Sequence, residues 1–98
     1  MIENIELYQE DKTRLKHLSI DKGTPLSEWM LKGAYYVLEN NPEIPNTPVG
    51  DYATFTMNIS SELKKEIRTY IVDKDVKIRD FWIKVASLIL ENEGCFDA

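Results

Sequence analysis

Polar and apolar residues alternate along two short stretches of the chain. Thr54-Phe55-Thr56-Met57-Asn58-Ile59 alternates strictly, which is the period of a strand with one buried and one exposed face. The stretch from Ile2 to Leu7 alternates less cleanly, with Ile5 and Leu7 on its apolar side. The pattern therefore predicts two short strands, one near the N-terminus and one just past the middle of the chain.

Each predicted strand is followed by apolar residues at helical spacing. These residues are Leu63, Ile67, Tyr70 and Ile71 after the second strand, and Leu15, Leu18 and Ile20 after the first. Ser60 or Ser61 is a natural N-cap for the later helix, because a serine hydroxyl accepts a hydrogen bond from a free backbone N–H. We predict one helix directly after each strand.

A break and then a second helix follow in both halves. Gly23-Thr24-Pro25 is a strong break, since Gly23 can take a left-handed conformation, Thr24 can cap and Pro25 suits a first helical turn. Asp75-Val76-Lys77 is the weaker counterpart. The second helices carry their apolar residues at Leu26, Met30, Ala34, Val37 and Leu38, then at Ile78, Trp82, Ala86, Ile89 and Leu90. Three large aromatic side chains are expected in the core, namely Trp29, Phe81 and Trp82.

The two halves match when the sequence is shifted against itself by 52 residues. Asp21-Lys22 then falls on Asp73-Lys74, and Leu38-Glu39-Asn40 falls on Leu90-Glu91-Asn92. Apolar positions stay in register from the strand through the second helix without a gap. Chance agreement between two helical patterns is the alternative, but the strand, both helices and the break all align, which favours an internal repeat.

The repeat predicts how the chain is organised. One strand-helix-helix unit covers residues 1–40, a proline-rich linker 41–52, a second unit 53–92 and an acidic tail 93–98. A unit of about 40 residues cannot bury a sufficient core alone, so each unit needs the other. We expect a mostly α-helical fold in which the two strands pair as a short antiparallel ribbon over four helices.

The composition argues against an enzyme, a cofactor and a metal site. Of 98 residues, one is cysteine (Cys95) and one is histidine (His17), which excludes an internal disulfide and a multi-cysteine zinc site. The sequence contains no nucleophile elbow, phosphate loop or zinc-protease motif. It also has no run of 18 apolar residues, and its first residues do not form a secretory signal. A cytoplasmic, cofactor-free protein is the expectation.

The charge is acidic and unevenly distributed. Twelve basic and seventeen acidic side chains give a net charge of −5, whereas a dedicated nucleic-acid binder usually has a basic surplus. Residues 1–52 carry five basic and nine acidic side chains, and residues 53–98 carry seven and eight. Any capacity to bind phosphate is therefore expected in the second half, and in local patches.

The strand-helix-helix unit resembles the ribbon-helix-helix superfamily of repressors and antitoxins, the MetJ/Arc/CopG type. The best-matching segments are residues 14–28 and 55–63, and the resemblance covers nearly the whole chain, twice. Family members are usually homodimers of single units. A chain with two units resembles the tandem members, in which one polypeptide forms a pseudo-dimer. The fold implied is thus two tandem ribbon-helix-helix repeats.

The resemblance implies a sequence-specific DNA-binding regulator, repressor-like and suited to a mobile element. In the family, outward side chains of the ribbon read base edges in the major groove. The N-terminus of each second helix holds a phosphate with its backbone N–H groups. Carried onto this chain, the ribbon positions are Ile2, Asn4, Glu6, Thr54, Thr56 and Asn58, and the clamp positions are Ser27, Lys77, Ile78 and Arg79.

The predicted ribbon departs from the family pattern in its first strand. Asn4 and Asn58 can bond an adenine edge and the threonines can touch a thymine methyl, but Glu6 is repelled by phosphates and Ile2 offers no hydrogen bond. Double-stranded DNA with a non-palindromic site is the expected partner of one chain. The alternative is an acidic protein-interaction module, antitoxin-like or an accessory factor, that does not bind DNA directly. Swapped pairing between two chains and higher oligomers on DNA both stay open.

Overall fold

The computed structural model describes residues 1–94 and contains four helices and a two-stranded antiparallel sheet. The elements are β1 (Ile2–Tyr8), α1 (Gln9–Lys22), α2 (Leu26–Asn40), β2 (Tyr52–Asn58), α3 (Ser61–Lys74) and α4 (Ile78–Asn92). The prediction of a mostly helical fold with a short antiparallel ribbon is confirmed. Residues 95–98 of the predicted acidic tail, Cys95 among them, lie outside the described residues.

The ribbon has one buried and one exposed face, as alternation requires. Ile5 and Leu7 are fully buried on the inner face of β1, where they pair with Phe55 and Ala53 of β2. Met57 of β2, 5% exposed, pairs with Glu3, which is also buried on this face. Ile2 pairs with Asn58 at one end and Tyr8 with Tyr52 at the other. Because β2 begins at Tyr52, that residue belongs to the ribbon and not to the linker in which the sequence had placed it.

The first helix of each half packs a narrow apolar stripe against the core. Leu15 is buried in α1, and Leu63, Ile67 and Ile71 are buried in α3. The Ser60 hydroxyl accepts a hydrogen bond from the Leu63 N–H at 3.0 Å, which identifies Ser60 as the N-cap. Ile20, included above among the apolar positions of α1, is instead 78% exposed, because it lies on the solvent side of the last turn.

Left-handed residues end both of these helices. Gly23 has φ 65° and follows α1, and Asp75 has φ 56° and follows α3. Pro25 is the residue that precedes α2, with extended backbone angles, so Thr24 does not cap this helix. Thr24 instead contributes to the C-terminus of α1, where its N–H donates to the Ser19 carbonyl at 3.1 Å.

The second helices, α2 and α4, supply most of the core. Trp29, Phe81 and Trp82 are all at most 4% exposed, which confirms the expectation of three aromatic side chains in the core. Phe81 and Trp82 meet edge to face, with ring centroids 5.1 Å apart. Ala34 and Ala86 are fully buried, and small side chains at these positions let packed helices approach closely.

The linker is attached to both halves, through contacts with β1, α3 and α4. Thr47 Oγ1 donates to the Asp80 carboxylate at 2.6 Å, and Asp80 itself is only 3% exposed. Tyr70 donates its hydroxyl to the Asn41 side chain at 2.9 Å. The Pro48 carbonyl accepts from the Tyr8 hydroxyl at 2.6 Å. The linker therefore follows a fixed path from the end of α2, past the start of α4, to one end of the ribbon.

The helix boundaries of the two halves differ by the interval found in the sequence. Helix α1 starts at Gln9 and α3 at Ser61, an interval of 61 − 9 = 52. Helices α2 and α4 start at Leu26 and Ile78, again an interval of 78 − 26 = 52. The ends of the helices, at 22 and 74 and at 40 and 92, are separated by the same interval.

No helix within residues 1–94 combines the length and the apolar character that crossing a bilayer requires.

Candidate nucleic-acid interface

The outer face of the ribbon carries the side chains that the sequence placed there. Ile2, Asn4 and Glu6 of β1 are exposed, and so are their neighbours Thr54, Thr56 and Asn58 of β2. Asn4 and Thr56 lie directly opposite each other, and the Thr56 hydroxyl donates to Asn4 Oδ1 at 3.3 Å. This face offers amide and hydroxyl groups, which can both donate and accept hydrogen bonds.

The ribbon is of a size that fits a DNA groove. Each strand has seven residues, which at ~3.3 Å per residue gives a length of roughly 20 Å. The major groove of B-DNA is about 12 Å wide and admits a two-stranded ribbon. The geometry is thus compatible with entry of the outer face into a major groove.

A cluster of side chains covers one end of the outer face. Arg79, from the first turn of α4, donates through Nε to Glu6 Oε2 at 3.1 Å, and its Nη2 lies 3.1 Å from the same oxygen. The guanidinium carbon is 4.2 Å from the centroid of the Tyr52 ring. The Tyr52 and Tyr8 rings stack with centroids 5.6 Å apart. We call Glu6, Arg79, Tyr52 and Tyr8 the arginine cluster.

Electrostatics within the arginine cluster keep its two charges together. The hydrogen bond from Arg79 to the Glu6 carboxylate raises the pKa of the guanidinium above its ordinary value. Glu6 would otherwise present a bare negative charge on the face predicted to meet DNA. Because Arg79 lies beside it, the pair is neutral as a whole, which reduces the repulsion that this carboxylate would cause near phosphates.

The N-termini of α2 and α4, like that of α1 and unlike that of α3, have backbone N–H groups that no N-cap side chain bonds. The residues preceding them, Pro25 and Lys77, make no side-chain capping bond. Lys77 is exposed at the start of α4, as is Ser27 in the first turn of α2, while Ile78 is half-buried. An uncapped helix start with its positive dipole end is favourable for an anion such as phosphate.

The structure places Arg79 differently from the sequence-based expectation. It had been assigned to the phosphate clamp with Lys77, but its guanidinium lies over the ribbon, against Glu6 and Tyr52. Of the residues predicted to form the clamp at α4, Lys77 and the half-buried Ile78 are the two that remain at the helix start. The contact also shows that the N-terminus of α4 lies beside the outer face of the ribbon.

Several residues of this surface were missed in the sequence. Outward side chains come at every second residue of a strand. Tyr8 lies two residues after Glu6 and Tyr52 two residues before Thr54, so continuing the same pattern would have included both tyrosines. Lys12 is another, since its Nζ donates to the Thr54 carbonyl at 2.7 Å and thus lies at the edge of the ribbon. Pairing of Glu6 with Arg79 spans 73 residues and has no local sequence signal.

Comparison with known proteins adds no assignment. No family model matches the chain, and no curated protein and no solved structure matches it.

Proposed function

We propose that this chain is a tandem ribbon-helix-helix protein that binds double-stranded DNA and regulates transcription, as a repressor. Its two strand-helix-helix units form a pseudo-dimer within one chain. The ribbon enters the major groove, and the N-termini of α2 and α4 each hold a phosphate. The observation that carries the proposal is the exposed outer face with Asn4, Thr54, Thr56 and Asn58, one end of which Arg79 contacts from the first turn of α4.

The pseudo-dimer is supported by the register of the ribbon. Asn4 pairs with Thr56, the residue 56 − 4 = 52 positions later. The same interval separates the corresponding helix boundaries. A twofold axis through the Asn4–Thr56 pair therefore relates the two halves along the chain. Such an axis is the symmetry with which a ribbon-helix-helix dimer would face DNA.

The two halves of the proposed interface differ chemically. The twofold relation matches Glu6 with Asn58, Ile2 with Thr54 and Arg79 with Ser27. Since the outward residues differ on the two sides of the axis, each half of the DNA site meets different hydrogen-bonding groups. We infer a non-palindromic site for one chain.

The acidic net charge of −5 does not oppose local binding. Asp80 lies buried beneath the surface with Thr47, and Glu6 is paired with Arg79. Two acidic groups near the start of α4 are thus partnered, while Asp75 and Lys77 are both exposed there. Binding is expected to be weaker and less salt-sensitive than for a basic protein, since the electrostatic part of the affinity and its salt slope both grow with the number of phosphates that cationic side chains contact.

Retention of duplex DNA by the purified full-length chain tests the proposal. Duplexes are selected from a randomised library at low salt, and a fragment from upstream of the coding sequence is tested beside them. We expect a selected sequence whose affinity falls with added salt. Asn58→Ala should weaken binding to it by roughly tenfold, since a bidentate base contact contributes ~1–3 kcal/mol.

Asn40→Ala is the matched control for this measurement. Asn40 is exposed at the C-terminal end of α2, and its amide donates to the Tyr36 carbonyl of the same helix. We expect its affinity for the selected duplex to equal that of the unmodified protein. Failure to retain any duplex at low salt would refute the proposal.

A protein-interaction module that does not bind DNA directly is the second candidate. Ile2, 68% exposed on the outer face of the ribbon, favours it, because an apolar side chain suits a protein partner better than a base edge. Under this alternative the chain retains no DNA, and a protein that co-purifies with it is lost on Ile2→Lys. An antitoxin-like inhibitor or an accessory factor would behave in this way.

A further inference from the structure

The arginine cluster differs from an ordinary surface ion pair in how firmly it is held. Arg79 is bonded to Glu6 along one edge of its guanidinium and stacked on Tyr52 across one face. Tyr52 is stacked on Tyr8 in turn. The Tyr8 hydroxyl donates to the Pro48 carbonyl at 2.6 Å, which ties the stack to the linker. Three side chains and the linker thus fix the plane of one arginine.

Only one edge of the Arg79 guanidinium faces Glu6, so a second edge remains for a ligand. Nε and Nη2 are directed to Glu6 Oε2. A guanidinium has five N–H groups in a rigid planar fork, so the end formed by Nη1 and Nη2 still presents two parallel donors. Two parallel donors match two neighbouring acceptors, such as guanine O6 and N7 in the major groove.

The position of Arg79 favours a base edge over a phosphate. Its two partners, Glu6 and Tyr52, belong to the ribbon, and Glu6 points outward beside Thr54, the residue paired with it. The guanidinium therefore lies on the face that enters the groove in the proposed complex. Holding an arginine in place before binding lowers the entropic cost of the contact, and stacking on an aromatic ring suits a guanidinium better than a lysine ammonium.

We propose that Arg79 reads a guanine in one half of the DNA site, with Glu6 and Tyr52 as positioning residues for its guanidinium. The inference rests on the proposed DNA-binding function and deepens it. The other half of the site lacks this reader, because Ser27 corresponds to Arg79 and Asn58 to Glu6. The guanine is therefore required on one side of the centre only.

Replacement of single guanines by 7-deazaguanine tests the assignment. The probe is the duplex that the unmodified chain selects, since 7-deazaguanine lacks only the N7 acceptor of the base. We expect one off-centre guanine whose replacement weakens binding by about tenfold. The Arg79→Ala protein should bind the normal and replaced duplexes equally. Arg79→Lys should also lose most of the discrimination, because a lysine cannot form the bidentate contact.

The positioning roles of Glu6 and Tyr52 are tested by a measurement that would not change if these residues only stabilised the fold. Glu6→Gln and Tyr52→Leu should keep the fold, checked by circular dichroism, and should reduce the ratio of affinities for normal and replaced duplex. Thr69→Ala, an exposed exchange on α3, should leave that ratio unchanged. A ratio unaffected by both Glu6→Gln and Tyr52→Leu would overturn the positioning roles.

Two outcomes would overturn the reading of guanine by Arg79. If Arg79→Ala weakens every duplex equally and lowers the salt slope by about one, the residue contacts a phosphate. If the double variant Glu6→Gln/Arg79→Ala keeps the full sensitivity to 7-deazaguanine, Arg79 serves only to neutralise Glu6. Absence of any bound duplex for the unmodified chain is a separate result, in which the proposed function fails together with this inference.

Discussion

Asn4 lies directly opposite Thr56 at the centre of the ribbon, and the two residues are joined by a hydrogen bond of 3.3 Å between their side chains. They are also 52 positions apart, the interval at which the sequence matches itself. At the centre of the ribbon, a residue of β1 is therefore paired with the residue that matches it in the repeat. In the proposed pseudo-dimer, this register gives corresponding residues of the two halves similar surroundings, so predictions can be made for pairs of residues.

Ala34 and Ala86 form one such pair, separated by 86 − 34 = 52 positions. Both are fully buried, on the helices that supply most of the core. Ala34→Leu and Ala86→Leu should each lower the free energy of unfolding by about 1–3 kcal/mol, because a larger side chain overpacks a filled site. Urea denaturation followed by circular dichroism measures the change.

The control for the alanine pair is Thr69→Leu, an exposed exchange on α3. It should change the free energy of unfolding by no more than about 0.5 kcal/mol. Equal stability of the unmodified protein and either leucine variant would show that the α2–α4 contact has room that the structure does not show.

Gly23 and Asp75 form a second pair, in which two different residue types have the same left-handed backbone conformation. Both have positive φ, 65° and 56°, at the ends of α1 and α3. Glycine adopts this conformation without the steric cost that a Cβ brings. Asp75→Gly is therefore expected to raise the free energy of unfolding by about 0.5–1 kcal/mol, and Gly23→Asp to lower it by a similar amount.

Asp73→Gly is the matched exchange for Asp75→Gly, two residues earlier and inside α3. There the same substitution should lower the free energy of unfolding by roughly 0.3 kcal/mol, since glycine is the poorer helix former. Thermal melts of the two variants, run side by side, should shift in opposite directions. A shift in the same direction would contradict the assignment of Asp75 to a strained position.

Thr47 provides the third prediction, because it is the linker residue that satisfies a buried carboxylate. Its hydroxyl donates to Asp80 at 2.6 Å, and Asp80 is 3% exposed. Thr47→Val removes that donor while keeping the shape of the side chain. The free energy of unfolding should fall by about 1–3 kcal/mol, the usual cost of leaving a buried polar group without its partner.

Thr13→Val tests whether the loss at Thr47 is specific to the buried site. The Thr13 hydroxyl also makes a hydrogen bond, to the Gln9 carbonyl at 3.1 Å, but it does so in solvent. Its removal should cost no more than about 0.5 kcal/mol by urea denaturation. Similar losses for the two variants would mean that Asp80 is solvated when Thr47 is removed.

The sequence was sufficient for the ribbon apart from its Tyr8–Tyr52 end, because alternation fixes which side of a strand is buried. Thr54, Thr56 and Asn58 are exposed while Met57 is buried, as the pattern requires. The helices followed from apolar spacing and from the break at Gly23. Ile20 shows the limit of that reasoning, since an apolar residue at the end of a helix can face solvent when the packed stripe has already ended.

The arginine cluster shows what local patterns cannot supply. Glu6 and Arg79 come together only because α4 packs against β1, and nothing near either residue in the chain signals the other. The path of the linker is similar. Its prolines indicated an extended segment, but attachment through Thr47 to Asp80 depends on where α4 begins. Long-range contacts of this kind follow from packing of the whole chain.

A symmetrised ribbon gives the most direct test of the twofold relation in DNA binding. Ile2→Thr, Asn4→Thr and Glu6→Asn together give β1 the outward residues of β2 at the corresponding positions. All three positions are exposed, so the core is unchanged. Duplexes selected by this triple variant should be more nearly palindromic than those selected by the unmodified chain, because both halves of the ribbon then offer the same groups.

The control for the symmetrised ribbon is a variant in which similar substitutions are made outside the ribbon. Glu66→Asn and Val72→Thr alter exposed residues of α3 and should leave the selected sequence unchanged. Some asymmetry should persist in the triple variant, since Arg79 still faces only one half of the site. A triple variant that selects the same sequence as the unmodified chain would show that the ribbon does not read the bases, because its outward side chains would then have been exchanged without consequence.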